Sequence, residues 1–270
     1  MAWLSGSYHH LHTGTRQLAH LTSLLRALVE REFKGQYRRS LLGPAWAFLQ
    51  PLAYMMVFIF LKGVLGIPSD AGVPYALFTF AALVPWTFFS NALSRCAPSV
   101  YANGPILKKS AVPREIFPLA SVLTSFIDFA IASLILAGMM IWYKFGVGIH
   151  ILWLPLLVLL TALLALGMGL LLAAIGTFKR DVIFAIPFAM QFWMLATPVM
   201  YPSNQVPERW RAFYDLNPMV GLIDSYRDVL LHNQAPDFAV LGESVLIIGI
   251  IWAVAWPLFR MVSQYFSDVL

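Results

Sequence analysis

The chain has 270 residues, is 60% hydrophobic and only 11% charged, and carries a formal net charge of +5. A soluble domain needs roughly 25% charged residues to cover its surface, so this composition excludes a water-soluble globule and leaves an integral membrane protein with little mass for a catalytic domain. The single cysteine, Cys96, excludes an internal disulfide framework and a cysteine-rich metal site, and the positive balance reads as membrane-loop charge rather than a nucleic-acid surface.

Residues 1–44 read as a cytoplasmic tail and an amphipathic helix. No cleavable signal pattern is present, so the first span is expected to act as the insertion signal. His9, His10, His12 and His20 stand in the tail, and "HHLH" reads as a solvated segment rather than a metal site. Leu18, Leu21, Leu25, Leu28 and Val29 recur at helical spacing, while His20, Ser23, Arg26, Glu30 and Arg31 fall on other faces. That pattern predicts a helix lying in the headgroup layer. The stretch "REFKGQYRRSLLGPAWAFLQP" is basic up to Arg38 and Arg39, reaches Gly43-Pro44, and turns apolar. Proline in a first helical turn lacks only a hydrogen bond that was unmade anyway, so a corner is expected there.

Residues 45–270 read as an α-helical transmembrane domain of six spans, because a crossing takes about 20 apolar residues and only a helix satisfies its own backbone in lipid. The spans fall at Trp46 to Leu65, Tyr75 to Leu93, Ile116 to Trp142, Leu152 to Gly176, Val182 to Tyr201 and Val240 to Phe259. Lys and Arg gather before the first span, in the segment from Arg95 to Arg114, at Lys179 and Arg180, and at Arg260. The other side holds Lys62, Lys144, Arg209, Arg211 and Arg227. This bias places both termini in the cytoplasm. Residues 202–236 predict two short non-spanning helices parted by Asn217-Pro218, and the two halves of the chain show no internal repeat.

No phosphate-binding loop, nucleophile elbow or paired-histidine metal motif is present, which gives no catalytic residue and no metal ligand. Asp128 lies inside the third span, where an ionisable group is functional by default. No second acid or histidine stands a turn away, so a structural bond to Ser125, Thr124 or a neighbouring helix is the preferred reading. Aromatic residues at Tyr54, Phe58, Phe188, Phe192 and Trp193 serve either as lipid-facing bulk or as stacking faces for sugar rings. The segment 97–115 alternates a turn at Asn103-Gly104-Pro105, a short helical "ILKK" and Pro113. A loop that merely carries positive charge needs no such order, so it reads as a docking surface.

"NGPILKKSAVPREIFPLA" resembles the cytoplasmic coupling segment of the permease subunits of polysaccharide-exporting ABC transporters, the O-antigen, teichoic-acid and capsule exporters. "REFKGQYRRSLLGPAWAFLQP" is similar to the approach to their first span, and "TPVMYP" followed by "NPM" to the stretch after their fifth. The resemblance implies a homodimer in the bacterial inner membrane, paired with two copies of a separate ATP-binding subunit. ATP and Mg²⁺ would bind that partner, with no cofactor in this chain, which would be a transport subunit and not an enzyme. It further implies that Asn103, Leu107, Lys108, Lys109, Arg114 and Glu115 couple to the ATPase. Arg38 and Arg39 would receive the head of a lipid-linked glycan, O-antigen foremost. The five aromatics named above would line the channel, and helices in 202–236 would form an external gate. Two other classes stand beside this one. An ion-coupled secondary transporter needs a midplane ion site, for which Asp128 is the candidate. A membrane-embedded lipid-sugar enzyme needs clustered acids, for which only Asp215, Asp224 and Asp228 offer themselves.

Overall fold

The computed structural model describes residues 5–38, 40–68, 70, 72–108 and 112–266, with side chains from residue 19 on apart from 212. Among the described residues all regular structure is helical. In chain order the α-helices are α1 (Ser5–Tyr37), α2 (Trp46–Leu65), α3 (Tyr75–Ala102), α4 (Gly104–Leu107), α5 (Ile116–Trp142), α6 (Leu154–Phe178), α7 (Asp181–Leu195), α8 (Glu208–Asp215), α9 (Pro218–Arg227) and α10 (Phe238–Ser263). A π-helical turn, Asp228–His232, continues α9.

Among the described residues five stretches are long and apolar enough to cross a membrane: Gly43–Leu65, Tyr75–Ala102, Ile116–Trp142, Ile149–Phe178 and Phe238–Ser263. Helices α2 and α5 have the bounds expected of them. Helix α3 runs on to Ala102, so Arg95 stands on a helix and not in a loop. The largest departure is α7. Its helix has 15 residues, about 22 Å at 1.5 Å per residue, short of the ~30 Å hydrocarbon core. It ends at Leu195 rather than near Tyr201, because the next residues turn and are held by other parts of the chain, as described below.

Burial orders the bundle. Over their most apolar windows α3 is 83% buried, α5 and α6 50%, α10 22% and α2 11%. Helix α3 is therefore the centre and α2 and α10 the rim, which fits a helix that is apolar all round. Glycine lets α6 approach it closely. A Cβ added at Gly169 would stand 2.7 Å from the Cys96 Cβ, and one at Gly176 2.9 Å from the Ala97 carbonyl. Small residues at a membrane helix seam gain van der Waals contact that lipid cannot replace. Across the bundle, Trp252 of α10 donates its indole N–H to the Leu163 carbonyl at 2.9 Å.

A second core gathers where α1 meets the ends of α4, α5 and α10. Leu28 is buried there with Leu107, Phe117, Ala120, Phe259 and Phe266, while Leu21, Leu24, Leu25 and Val29 pack at its margin. The stripe expected to meet lipid thus meets protein along much of its length. The backbone is already helical from Ser5 through the histidine tail; the side chains of His9, His10, His12 and Leu18 lie outside the described residues. The corner before α2 is present too. Gly43 has φ +52, a left-handed conformation that glycine adopts without a Cβ clash, and its N–H donates to Ser40 Oγ at 3.1 Å. Pro44 then opens the short 3₁₀ turn that leads into α2.

Candidate functional site

The end of the bundle where α1 lies carries most of the intramembrane polar chemistry. Three successive contacts stitch α1 to α3 and α5. Arg31 donates to the Asn103 side-chain oxygen at the start of α4. Ser121 and Thr124 of α5 donate to Glu32 at 3.3 and 3.4 Å. Tyr37 donates to Asp128 Oδ1 at 2.7 Å and Gln36 to Oδ2 at 3.4 Å. Burial raises the Glu32 carboxyl above its ordinary range, with the two hydroxyls opposing.

Asp128 is paired with Arg95 of α3, and its side chain is 5% exposed against 22% for the arginine. Ser125 and Thr124 do not bond to it; they turn to the Ser121 and Ala120 carbonyls. The acid's partners therefore come from neighbouring helices. Sequence reasoning missed Arg95 because positive-inside counting assigned it to a loop.

The residues named for coupling divide into two groups. Asn103 and Leu107 are buried, and Asn103 also donates to the Ser99 carbonyl at 2.7 Å. Lys108 is exposed, Arg114 and Glu115 are half-buried, and Arg114 Nε has no hydrogen-bond partner among the described residues. Arg38 is exposed beside the corner. Lys109 and Arg39 lie outside the described residues.

The five aromatic candidates do not share one surface. Phe58 is buried and stacks with Tyr54 at 6.3 Å. Trp193 packs edge-on against Phe89 and Trp86, at 5.3 and 6.3 Å, and donates to Asn217 Oδ1 at 3.0 Å. Phe188 and Phe192 touch each other at 4.7 Å and stay 64% and 59% exposed. Only Tyr54 opens into a groove, of about 250 Å³, between α2, α3 and α7. Phe184, Phe188 and Phe192 follow at four-residue spacing on the α7 face beside it, so the structure separates a groove from an exposed aromatic ridge.

At the far end, the segment after α7 is clamped from three sides. Asn217 caps α9 by accepting from the Met219 N–H at 3.1 Å, and its amide donates to Thr197 Oγ1 at 2.9 Å. Tyr75 donates to the Met200 carbonyl at 2.8 Å. Arg227, counted from sequence as a loop charge, is 3% exposed; it donates to the Val199 carbonyl at 2.9 Å and lies 3.6 Å over the Phe78 ring. Beside it, His232 bonds Asp70 at 2.7 Å and lies 3.5 Å from Asp228. Asp228 and then Asp70 raise the imidazole above its ordinary value, and partial burial opposes them. The two short helices expected here are α8 and α9. The chemistry of "TPVMYP" and "NPM" is that of a tertiary clamp, which no local pattern discloses.

A bundle of apolar helices with a stitched amphipathic helix at one end and capped short helices at the other is a multi-pass membrane protein. The chain belongs to the ABC-2 type transporter family, whose profile matches residues 23–231. It is 28% identical over 256 residues to the O-antigen export system permease protein RfbA of Myxococcus xanthus, covering 94% of this chain and 97% of that one. An RfbA of Klebsiella pneumoniae is 24% identical over the same shares. The polysialic acid transport protein KpsM of Escherichia coli is 21% identical, covering 77% of this chain and 81% of the relative.

Proposed function

We propose that this chain is the transmembrane subunit of an ATP-driven exporter that moves a lipid-linked polysaccharide, O-antigen foremost, across the bacterial inner membrane. The observation that carries the reading is similarity along 94% of the chain to permeases named for O-antigen export. The chain acts as a homodimer with two copies of an ATP-binding subunit, which holds ATP and Mg²⁺ and does the hydrolysis. Both termini face the cytoplasm, and α7 with the turns after it makes the sixth crossing.

The structure supports a mechanical route. The ATPase presses on the segment after α4, where Lys108 is exposed and where Lys109, Arg114 and Glu115 are proposed to meet it as well. Because Arg31 holds Asn103, and Glu32 and Tyr37 hold α5, a push on this segment also displaces α1. Helix α1 leads through the Gly43 corner to α2, the least buried of the spans, and passes the displacement to it. Arg38, exposed beside that corner, and Arg39 are proposed to receive an anionic lipid head. Helices α8 and α9 gate the external side.

Asp128 does not suit an ion-coupled transporter, since Arg95 and Tyr37 occupy its carboxylate. Asp224 and Asp228 stand close to Arg227 and His232, which disfavours an enzyme built on them. Affinity purification from native membranes tests the proposal. An ATP-binding subunit should copurify, with hydrolysis that responds to a lipid-linked glycan. Recovery of a folded chain with no such subunit would overturn it.

A further inference from the structure

The groove between α2, α3 and α7 holds polar side chains that the fold does not use. Ser90, Asn91 and Ser94 recur at helical spacing on one face of α3, half-buried, and Gln50 and Gln191, both exposed, line the groove from α2 and α7. Elsewhere in the bundle hydroxyls are spent on the backbone: Thr87, Ser125, Ser133, Thr161 and Thr177 all donate to the carbonyl four residues back. Ser90 and Ser94 do not. None of the five groove groups has a hydrogen-bond partner among the described residues. An unpaired amide in hydrocarbon costs several kcal/mol, so this face meets something polar.

The groove also lacks charge. The one titratable group in its lining is the Tyr54 phenol, and Arg95, next to Ser94 in the chain, pairs with Asp128. Amides and hydroxyls each donate and accept, as sugar hydroxyls do, and the Tyr54 ring supplies a stacking face. An anionic residue would shed water here with no cation to offset the loss. The volume of about 250 Å³ falls below the ~300–1,000 Å³ of pockets that enclose a whole ligand. It suits a short segment of a longer chain. We infer that this groove is a binding subsite for an uncharged glycan segment, with Asn91, Gln191 and Gln50 reading its hydroxyls and the absence of charge selecting against acidic polymers. The inference rests on the export reading and narrows its substrate class.

Saturation-transfer NMR on the purified full chain tests it, with maltoheptaose as the neutral probe and oligosialic acid as the acidic one. Maltoheptaose should receive saturation, and oligosialic acid about tenfold less. In an Asn91→Ala/Gln191→Ala variant that elutes and melts like wild type, loss of two hydrogen-bonding groups should cut maltoheptaose transfer about fivefold or more. An Asn91→Lys/Gln191→Lys variant should reverse the preference. Equal or stronger transfer to oligosialic acid in wild type would overturn the inference, as would unchanged maltoheptaose transfer in the alanine variant. So would disulfide cross-linking of Gln191→Cys between two copies in native membranes, which would fill the groove with a second subunit. The measurement needs no ATP. A missing ATP-binding subunit therefore sinks the export reading alone, and failed glycan binding by a chain that has its ATPase sinks the groove alone.

Discussion

Replacing Asp128 by Asn tests the chemistry of the α1–α3–α5 junction most directly. From sequence alone the substitution looks mild, because an amide keeps most hydrogen bonds of a structural carboxylate. The structure changes that expectation. Arg95 would keep its charge, lose its counter-ion, and still have Nη1 without a partner. Removing one member of a buried pair costs about 3–5 kcal/mol. The 22% exposure of Arg95 leaves it some hydration, which places the loss at the lower end, about 3 kcal/mol. A second change, Arg95→Gln, removes the stranded charge and should recover about 2 kcal/mol as coupling between the two sites. Reversible unfolding of the detergent-purified single and double variants measures both terms. A single variant within about 0.5 kcal/mol of wild type, or a double variant no better than the single, would refute the reasoning.

Gly169→Ala should destabilise the α3–α6 seam by about 1–3 kcal/mol, read as a lower melting temperature, since the new methyl would stand 2.7 Å from the Cys96 Cβ. His232 is raised in the folded chain, so its contribution is complete below the unfolded value of about 6.5 and fades as pH rises through the folded one. Melting temperature should therefore fall across that window in wild type, and His232→Gln should flatten the slope. Arg31→Ala frees Asn103 and the docking turn from α1; glycan exported per ATP hydrolysed should drop in reconstituted vesicles while the ATPase still binds.

Much of the bundle could be read from apolar length. Trp46, Leu65, Ile116 and Trp142 end helices where composition changes, because lipid penalises any other backbone there. The errors arose where tertiary contacts outrank local pattern. Arg95 looks like a loop cation until Asp128 meets it from another helix, and Arg227 looks like a solvated loop charge until Phe78 and Val199 enclose it. Helix α7 stops early because Asn217, more than twenty residues away from its end, holds Thr197. Of the site, the turn at Asn103-Gly104-Pro105 and the corner at Gly43 were legible as chain punctuation. The aromatic set was not, because ring type says nothing about which rings a fold buries: Phe58 and Trp193 serve packing, whereas Phe188 and Phe192 stay exposed. The groove that Gln50, Asn91 and Gln191 share was not legible, because no local pattern shows that α2, α3 and α7 come together.

Cys96 sits at the closest approach of α3 and α6, with 0% exposure and its thiol donating to the Pro118 carbonyl at 3.3 Å. As the chain's single cysteine, and a buried one, it should leave the wild-type protein silent toward membrane-permeant and impermeant maleimides alike. Single cysteines placed along α2, α7 or the groove would then report their own solvent access and subunit proximity, with no prior removal of a native thiol and no disturbance of the central seam.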